Sequence, residues 1–195
     1  MNNELFSCEH LKLTRKNMDD VDNFMITVPE GKGLMDFLQQ DAFHNETVGL
    51  CRTYLVRDID SEELAGYFSL RAGLISSNEK IMDDGDEQVS EFDVIPGIEL
   101  SALAINERYI EAHPRRKGCG LIIFNDFVLP LVNEAAKIIG VQVLYGFSVD
   151  EKGKLMKKYI QEYGFERLDS KSEKMLHERL RPRNENDCVF IFKRL

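Results

Sequence analysis

The residues best suited to chemistry in this chain sit together in Arg115-Arg116-Lys117-Gly118-Cys119-Gly120. Three cations and two glycines one residue apart suit an anion, because glycine lets a backbone turn tightly and approach a ligand without Cβ interference. Behind this stretch, Leu121, Phe124, Val128, Leu131, Ala135 and Ile138 recur at steps of three and four, the period of an amphipathic helix. Ahead of it, residues 98–105 read as a strand. A glycine loop that opens a helix leaves first-turn N–H groups without acceptors, and the helix dipole adds to their pull on a negative group. The chemistry expected is the grip of a diphosphate by main-chain donors. The other open reading is a Gly-rich loop capped by solvated basic side chains. No Gly-Lys-Ser/Thr follows, which excludes a P-loop. The third glycine and the acidic residue of a dinucleotide fingerprint are also missing.

Proton chemistry needs other groups. Glu99 lies on the strand before the loop, where desolvation in a cleft would raise a carboxyl towards neutrality; the alternative is an edge glutamate paired to a cation. Tyr159 and Tyr163 flank the end of a helix expected at about 152–162, and His113 lies in a loop. His10, His44, His113 and His177 match no metal-ligand spacing, so no metal is expected.

The elements that must position these groups follow from the pattern along the chain. Strands are expected at 11–14, 50–57, 64–70, 98–105, 141–149 and 188–192, with Gly146 a candidate bulge. Short helices are expected at 17–26, capped by Asn17, and at 34–43, where Leu34, Phe37, Leu38 and Ala42 share a face that is either core packing or a pocket lining. Residues 58–63 read as a hairpin loop. The acidic run 76–93 reads as a solvated loop, or else as a rim that steers a cationic ligand. Pro130 should kink the long helix and Gly140 should end it, while 170–187 reads as a charged excursion. The alternation of strands and helices without a repeat implies an α/β fold on a mixed sheet.

Length and charge set bounds. At 195 residues the chain suits one domain with a proper core. The net charge of −9 opposes general adhesion to nucleic acid or to anionic membrane. Cys8, Cys51, Cys119 and Cys188 form no Cys-x-x-Cys pair, and no signal peptide precedes them. They are expected to be reduced thiols in a cytoplasmic protein. No apolar run reaches about 18 residues, so no transmembrane helix is expected.

Arg-x-x-Gly-x-Gly between a strand and a long amphipathic helix resembles the acyl-CoA signature of the GNAT superfamily of N-acyltransferases. Tyr163-Gly164-Phe165 resembles the end of that family's penultimate helix. The resemblance covers roughly residues 5–168. It implies a single GNAT domain over 1–195 with its coenzyme-binding core at about 95–168, a mixed sheet of about 6–7 strands with a splayed parallel pair, and about 4 flanking helices. It also implies acetyl-CoA as co-substrate. Leu103, Ala104 and Ile105 would pair with the pantetheine arm. Arg115, Arg116, Lys117, Gly118, Cys119, Gly120 and the amide of Leu121 would hold the diphosphate. Carried over by position, Glu99 matches a catalytic base. The family's acid tyrosine falls at Ile160, so Tyr159, one residue away, is the candidate phenol; one residue turns a helical side chain by about 100°. Otherwise Tyr159 and Tyr163 are packing residues, and the low pKa of the coenzyme thiol removes the need for an acid.

The front of the chain is similar to toxin-type members that acetylate aminoacyl-tRNA, through Leu34-x-x-Phe37-Leu38-x-x-x-Ala42, Thr53-Tyr54, Gly66-Tyr67-Phe68-Ser69-Leu70 and Ile95-Pro96. The function implied is acetyl transfer from acetyl-CoA to a primary amine of a small molecule or protein. Two alternatives stand beside it, a catalytically silent acyl-CoA-binding module and a toxin-like aminoacyl-tRNA acetyltransferase. Nucleic acid and membrane are not expected partners, and the sequence leaves room for a homodimer.

Overall fold

Phe6–His10 forms the first strand, β1, rather than the stretch 11–14 that its alternation marks. Leu11 leaves the ladder, though its N–H still donates to Thr53 O at 2.8 Å, and Leu13 is exposed. A computed structural model of the chain describes residues 1, 3–84, 87–148, 153–179 and 188–195; for 76–84, 87–92, 154, 171, 175 and 177–179 it describes the backbone alone. Helix α1 (Arg15–Asp22) begins earlier than its apolar period suggests, because Thr14 is the cap and its hydroxyl accepts the N–H of Asn17 at 3.2 Å. Asn17 is buried instead of capping. A 3₁₀ turn (Pro29–Gly31) leads into α2 (Lys32–Asp36), a π-helical turn (Phe37–Asp41) and α3 (Ala42–Thr47).

Strands β2 (Arg52–Asp58), β3 (Leu64–Asp84) and β4 (Glu87–Ile105) follow. The acidic run expected as a loop therefore lies largely in the two long strands β3 and β4. The acidic rim rests on side chains outside the described residues, except Asp93, which is exposed. Next come α4 (Glu107–Ala112), a 3₁₀ turn (Pro114–Arg116), α5 (Cys119–Ile123), a π-helical turn (Phe124–Val128) and α6 (Leu129–Ile139). The chain closes with β5 (Val143–Ser148), α7 (Lys154–Gln161), β6 (Glu166–Arg167), α8 (Ser170–Arg179) and β7 (Val189–Arg194). The strand β6 is not among the expected elements, and the charged excursion at 170–187, for which a helical turn is one reading of the sequence, begins with the ten-residue helix α8. Val149, Lys152 and the end of the 170–187 excursion lie outside the described residues. Among the described residues, seven strands form a mixed sheet in the order β1-β2-β3-β4-β5-β7-β6. Gly146 makes no bulge: it stands opposite Ile191 in an unbroken register from Val143↔Arg194 to Ser148↔Val189.

The chain groups into two compact units. The first comprises residues 1–71 and 100–133, and its core gathers Leu11, Val21, Phe24, Leu38, Ala42, Leu55, Leu64 and Tyr67 with Ala102 and Ala104. Leu34 and Phe37 pack on that core, which makes the face at 34–43 core packing. A buried guanidinium ties α1 and β1 to β2: Arg57 Nε meets Glu9 at 2.8 Å, and its two terminal nitrogens meet Asp20 at 2.6 Å and Asn17 at 2.7 Å. A buried charge is tolerated only when paired in this way.

The long helix of this unit starts at Cys119. Pro130 has no N–H and its ring crowds the carbonyl of Asp126. The chain answers with a wide π turn, in which Leu129 N–H donates to Phe124 O. Cys119–Ile139 is 21 residues long and passes for a membrane span by length and composition alone, a test that the core helix of a globular protein also meets. Ile123, Phe124, Phe127, Val128 and Val132 are nevertheless fully buried, while Asn125 and Asp126 are exposed, the two-sided character of a core helix.

The second unit comprises residues 72–99 and 134–195. Here β4 runs parallel to β5 through Gly97↔Val143, Ile98↔Leu144 and Glu99↔Tyr145. Tyr145 is buried, stacks on Phe190 at 5.6 Å between centroids, and is overlain by two glycines. A Cβ on Gly73 would collide with its Oη, and one on Gly97 would lie 2.9 Å from its Cδ1. Gly73→Ala is expected to cost about 1–3 kcal/mol by overpacking. In a Tyr145→Phe background the same substitution should cost less; thermal denaturation of the four proteins measures the difference.

Candidate functional site

The glycine loop is reached by a detour that the sequence shows only as extra length. At the end of β4, Asn106 turns the chain. Its N–H donates to Ala65 O at 2.9 Å, its Nδ2 donates to Leu64 O at 2.9 Å, and its Oδ1 accepts the N–H of Met25 at 3.2 Å. Helix α4 and the 114–116 turn then carry the chain to Gly118. That residue has φ 93° and ψ 2°, a left-handed conformation that costs any L side chain about 1–2 kcal/mol. Nothing lies within 4 Å of the place a Cβ would occupy, so backbone shape and not crowding demands the glycine.

Gly118 caps the long helix. Cys119 and Gly120 are buried; first-turn N–H groups of a helix in general lie outside its i→i−4 ladder. The Leu121 amide is already engaged, donating to Gly118 O at 3.2 Å. On the preceding strand Ala104 is buried, and Leu103 and Ile105 are half-buried.

The three cations separate into two kinds. Arg115 and Lys117 are exposed. Arg116 is turned to the hairpin loop between β2 and β3: its Nε is 3.5 Å from Asp58 Oδ2, a terminal nitrogen is 3.9 Å from Asp60, and the guanidinium sits 5.9 Å from the centre of the Phe6 ring. Asp58 is 3% exposed, with Oδ1 accepting the N–H groups of Asp60 and Ser61 and Oδ2 accepting the Tyr109 hydroxyl at 2.5 Å. Beside it His113 Nε2 meets Glu63 at 2.5 Å. Ala112, His113, Pro114, Arg115 and Arg116 line an open depression of about 450 Å³. Desolvation works to raise the Asp58 carboxyl, but the bonds from Tyr109, Ser61 and Asp60 and the Arg116 charge outweigh it and hold it below the usual range. The His113 contact lowers Glu63. Burial, then the Asp58 contact, raises the Tyr109 phenol. Sequence reasoning misses Asp58 and Tyr109; the one available signal is an acidic loop in a chain whose basic residues cluster at 115–117.

In the second unit, Glu99 is buried on β4 opposite Tyr145. Tyr159 packs edge-on against Tyr163 at 5.3 Å and Phe165 at 5.6 Å, and burial first, then Tyr163, pushes its phenol up. Ile160 is exposed. Among the described residues Ser148 Oγ, at the end of β5, is buried without a hydrogen-bond partner. No group of three or more His, Cys, Asp or Glu suited to a metal occurs among the described residues.

No family model matches the chain. Solved structures do. A tyrosine-to-phenylalanine mutant of the AtaT toxin bound to the C-terminus of the antitoxin AtaR and acetyl-CoA is similar over 97% of this chain and 92% of its own, at TM-score 0.60 and 19% identity. A tyrosine-to-phenylalanine mutant of KacT is similar over 98% and 95%, at TM-score 0.60 and 19% identity. AtaT complexed with acetyl-methionyl-tRNAfMet is similar over 97% and 94%, at TM-score 0.61 and 17% identity. The chain has the GNAT fold.

Asp58 and Glu63 have folded pKa values below their ordinary 3.8 and 4.5, so their contribution to stability is present above those values and is lost as pH falls through the folded ones. Chemical denaturation from pH 6 to about pH 3 should therefore show stability falling at the acid end, and Asp58→Asn should flatten part of that fall.

Proposed function

We propose that this chain transfers an acetyl group from acetyl-CoA to a primary amine. The observation that carries the reading is Gly118, left-handed at the mouth of a 21-residue helix, in a fold shared with a toxin whose structure holds acetyl-CoA. On this reading the first-turn amides from Gly118 onward grip the diphosphate, Arg115 and Lys117 add charge, and residues 103–105 of β4 offer main chain to the pantetheine arm. An ammonium must lose a proton before its nitrogen can attack the thioester carbon, and Glu99 is the proposed base. As the C–N bond forms, charge develops on the carbonyl oxygen; the C–S bond then breaks and the coenzyme leaves as thiolate. The edge-on packing of Tyr159 against Tyr163 and Phe165 favours a structural role for it, with the thiolate protonated from solvent.

Titration calorimetry should detect binding of acetyl-CoA, and Gly118→Asp should abolish it through charge conflict at the cradle. Glu99→Gln should lower kcat/KM by about 10²–10⁴ with little change in the affinity for acetyl-CoA. An unaltered rate and pH profile would remove Glu99 from the mechanism.

A second acceptor is supported by a specific neighbour, AtaT complexed with acetyl-methionyl-tRNAfMet. Against it stands the net charge of −9, since tRNA binding rests on cation–phosphate contacts. Thiol release measured over small amines, peptides and charged tRNA separates these acceptors. Binding without turnover on any of them identifies a silent acyl-CoA-binding module. Under turnover, Tyr159→Phe should change kcat by less than about threefold, well below the 10² expected for loss of a general acid.

A further inference from the structure

Arg116 lies inside the basic stretch yet is occupied. Its guanidinium faces Asp58 and Asp60 and covers Phe6, while its neighbours Arg115 and Lys117 are exposed. Asp58 in turn is fixed from three sides, by the N–H groups of Asp60 and Ser61 and by the Tyr109 hydroxyl. Tyr109 belongs to α4, and its carbonyl accepts the N–H of His113 at 2.8 Å; the carbonyl of His113 accepts the N–H of Arg116 at 2.9 Å. The chain from α4 to Gly118 is thus fastened to the β2–β3 hairpin loop at both ends of the turn, by Tyr109 and His113 on one side and Arg116 on the other.

We propose that Arg116 is a positioning residue and not a ligand of the anion: with Asp58 and Tyr109 it forms a strut that holds the turn 114–116 so that Gly118 can open the helix in its left-handed conformation. The proposal rests on the coenzyme reading of the cradle and adds a division of labour to it. Charge at 115 and 117 acts on the phosphates directly and is screened by salt. Charge at 116 is spent on a nearly buried carboxylate and acts through the backbone.

Salt therefore separates the roles. With acetyl-CoA as titrant, Arg115→Gln and Lys117→Gln should weaken binding and make it less dependent on salt. Arg116→Gln and Asp58→Asn should each weaken it about tenfold with the salt dependence of the wild type, and the double variant should be little worse than either single, as residues in one network behave. In turnover, the strut variants should raise KM for acetyl-CoA and leave kcat near that of the wild type. A salt dependence that flattens in Arg116→Gln, as in its neighbours, would make Arg116 a ligand and overturn the strut; so would affinity unchanged in Arg116→Gln. Should the wild type bind no coenzyme, the coenzyme reading fails and the strut is tested alone by amide hydrogen exchange. Faster exchange at residues 116–120 in Asp58→Asn, with the rest of the chain protected, supports it, and unchanged exchange there overturns it.

Discussion

A single backbone conformation governs the first unit: Gly118 must be left-handed for the long helix to begin where it does. Such a turn costs little for glycine, but it gives no contact of its own to hold it in place. The surroundings supply that. Cys119 and Gly120 are buried, so the first turn of the helix has no freedom to fray into solvent. The turn at 114–116 is closed by the N–H groups of Arg116 and Lys117, at 2.9 and 3.3 Å from the carbonyls of His113 and Pro114. The hairpin loop 58–63 braces it from the side.

Both long helical runs of the first unit carry one wide π turn, and both stay continuous through it. At Phe124–Val128 the cause is Pro130, whose ring would strike the carbonyl one turn back. The turn at Phe37–Asp41 contains no proline and leads straight into α3. In each case the buried aromatic or aliphatic residues on either side remain on the core face, which is what keeps a distorted helix in place. The exposed tip of α6 is different in kind, with Ile138 and Ile139 largely in solvent before Gly140 stops the helix at φ 68°.

Much of the architecture is legible in local pattern. The strands around 50–57, 64–70 and 98–105, the helix from 119, its proline distortion and its glycine stop all follow from period and from Pro and Gly chemistry. The failures share a cause. Residues 76–93 look like a loop because charge outweighs apolar content, yet most of them lie in β3 and β4, neighbours in the sheet. Residues 11–14 alternate as a strand would, but the first strand is 6–10, fixed by the pairing of Phe6 with Asp58.

At the candidate site the same division holds. Sequence alone determined that two glycines open a long apolar helix and that cations precede them, since each is a matter of residue type at fixed spacing. Only tertiary structure decided what those cations do. Arg115, Arg116 and Lys117 are equal in sequence, but Asp58 and Phe6, remote along the chain, claim one of them and leave two exposed. Charge partners are chosen by proximity in space, and periodicity carries no record of that.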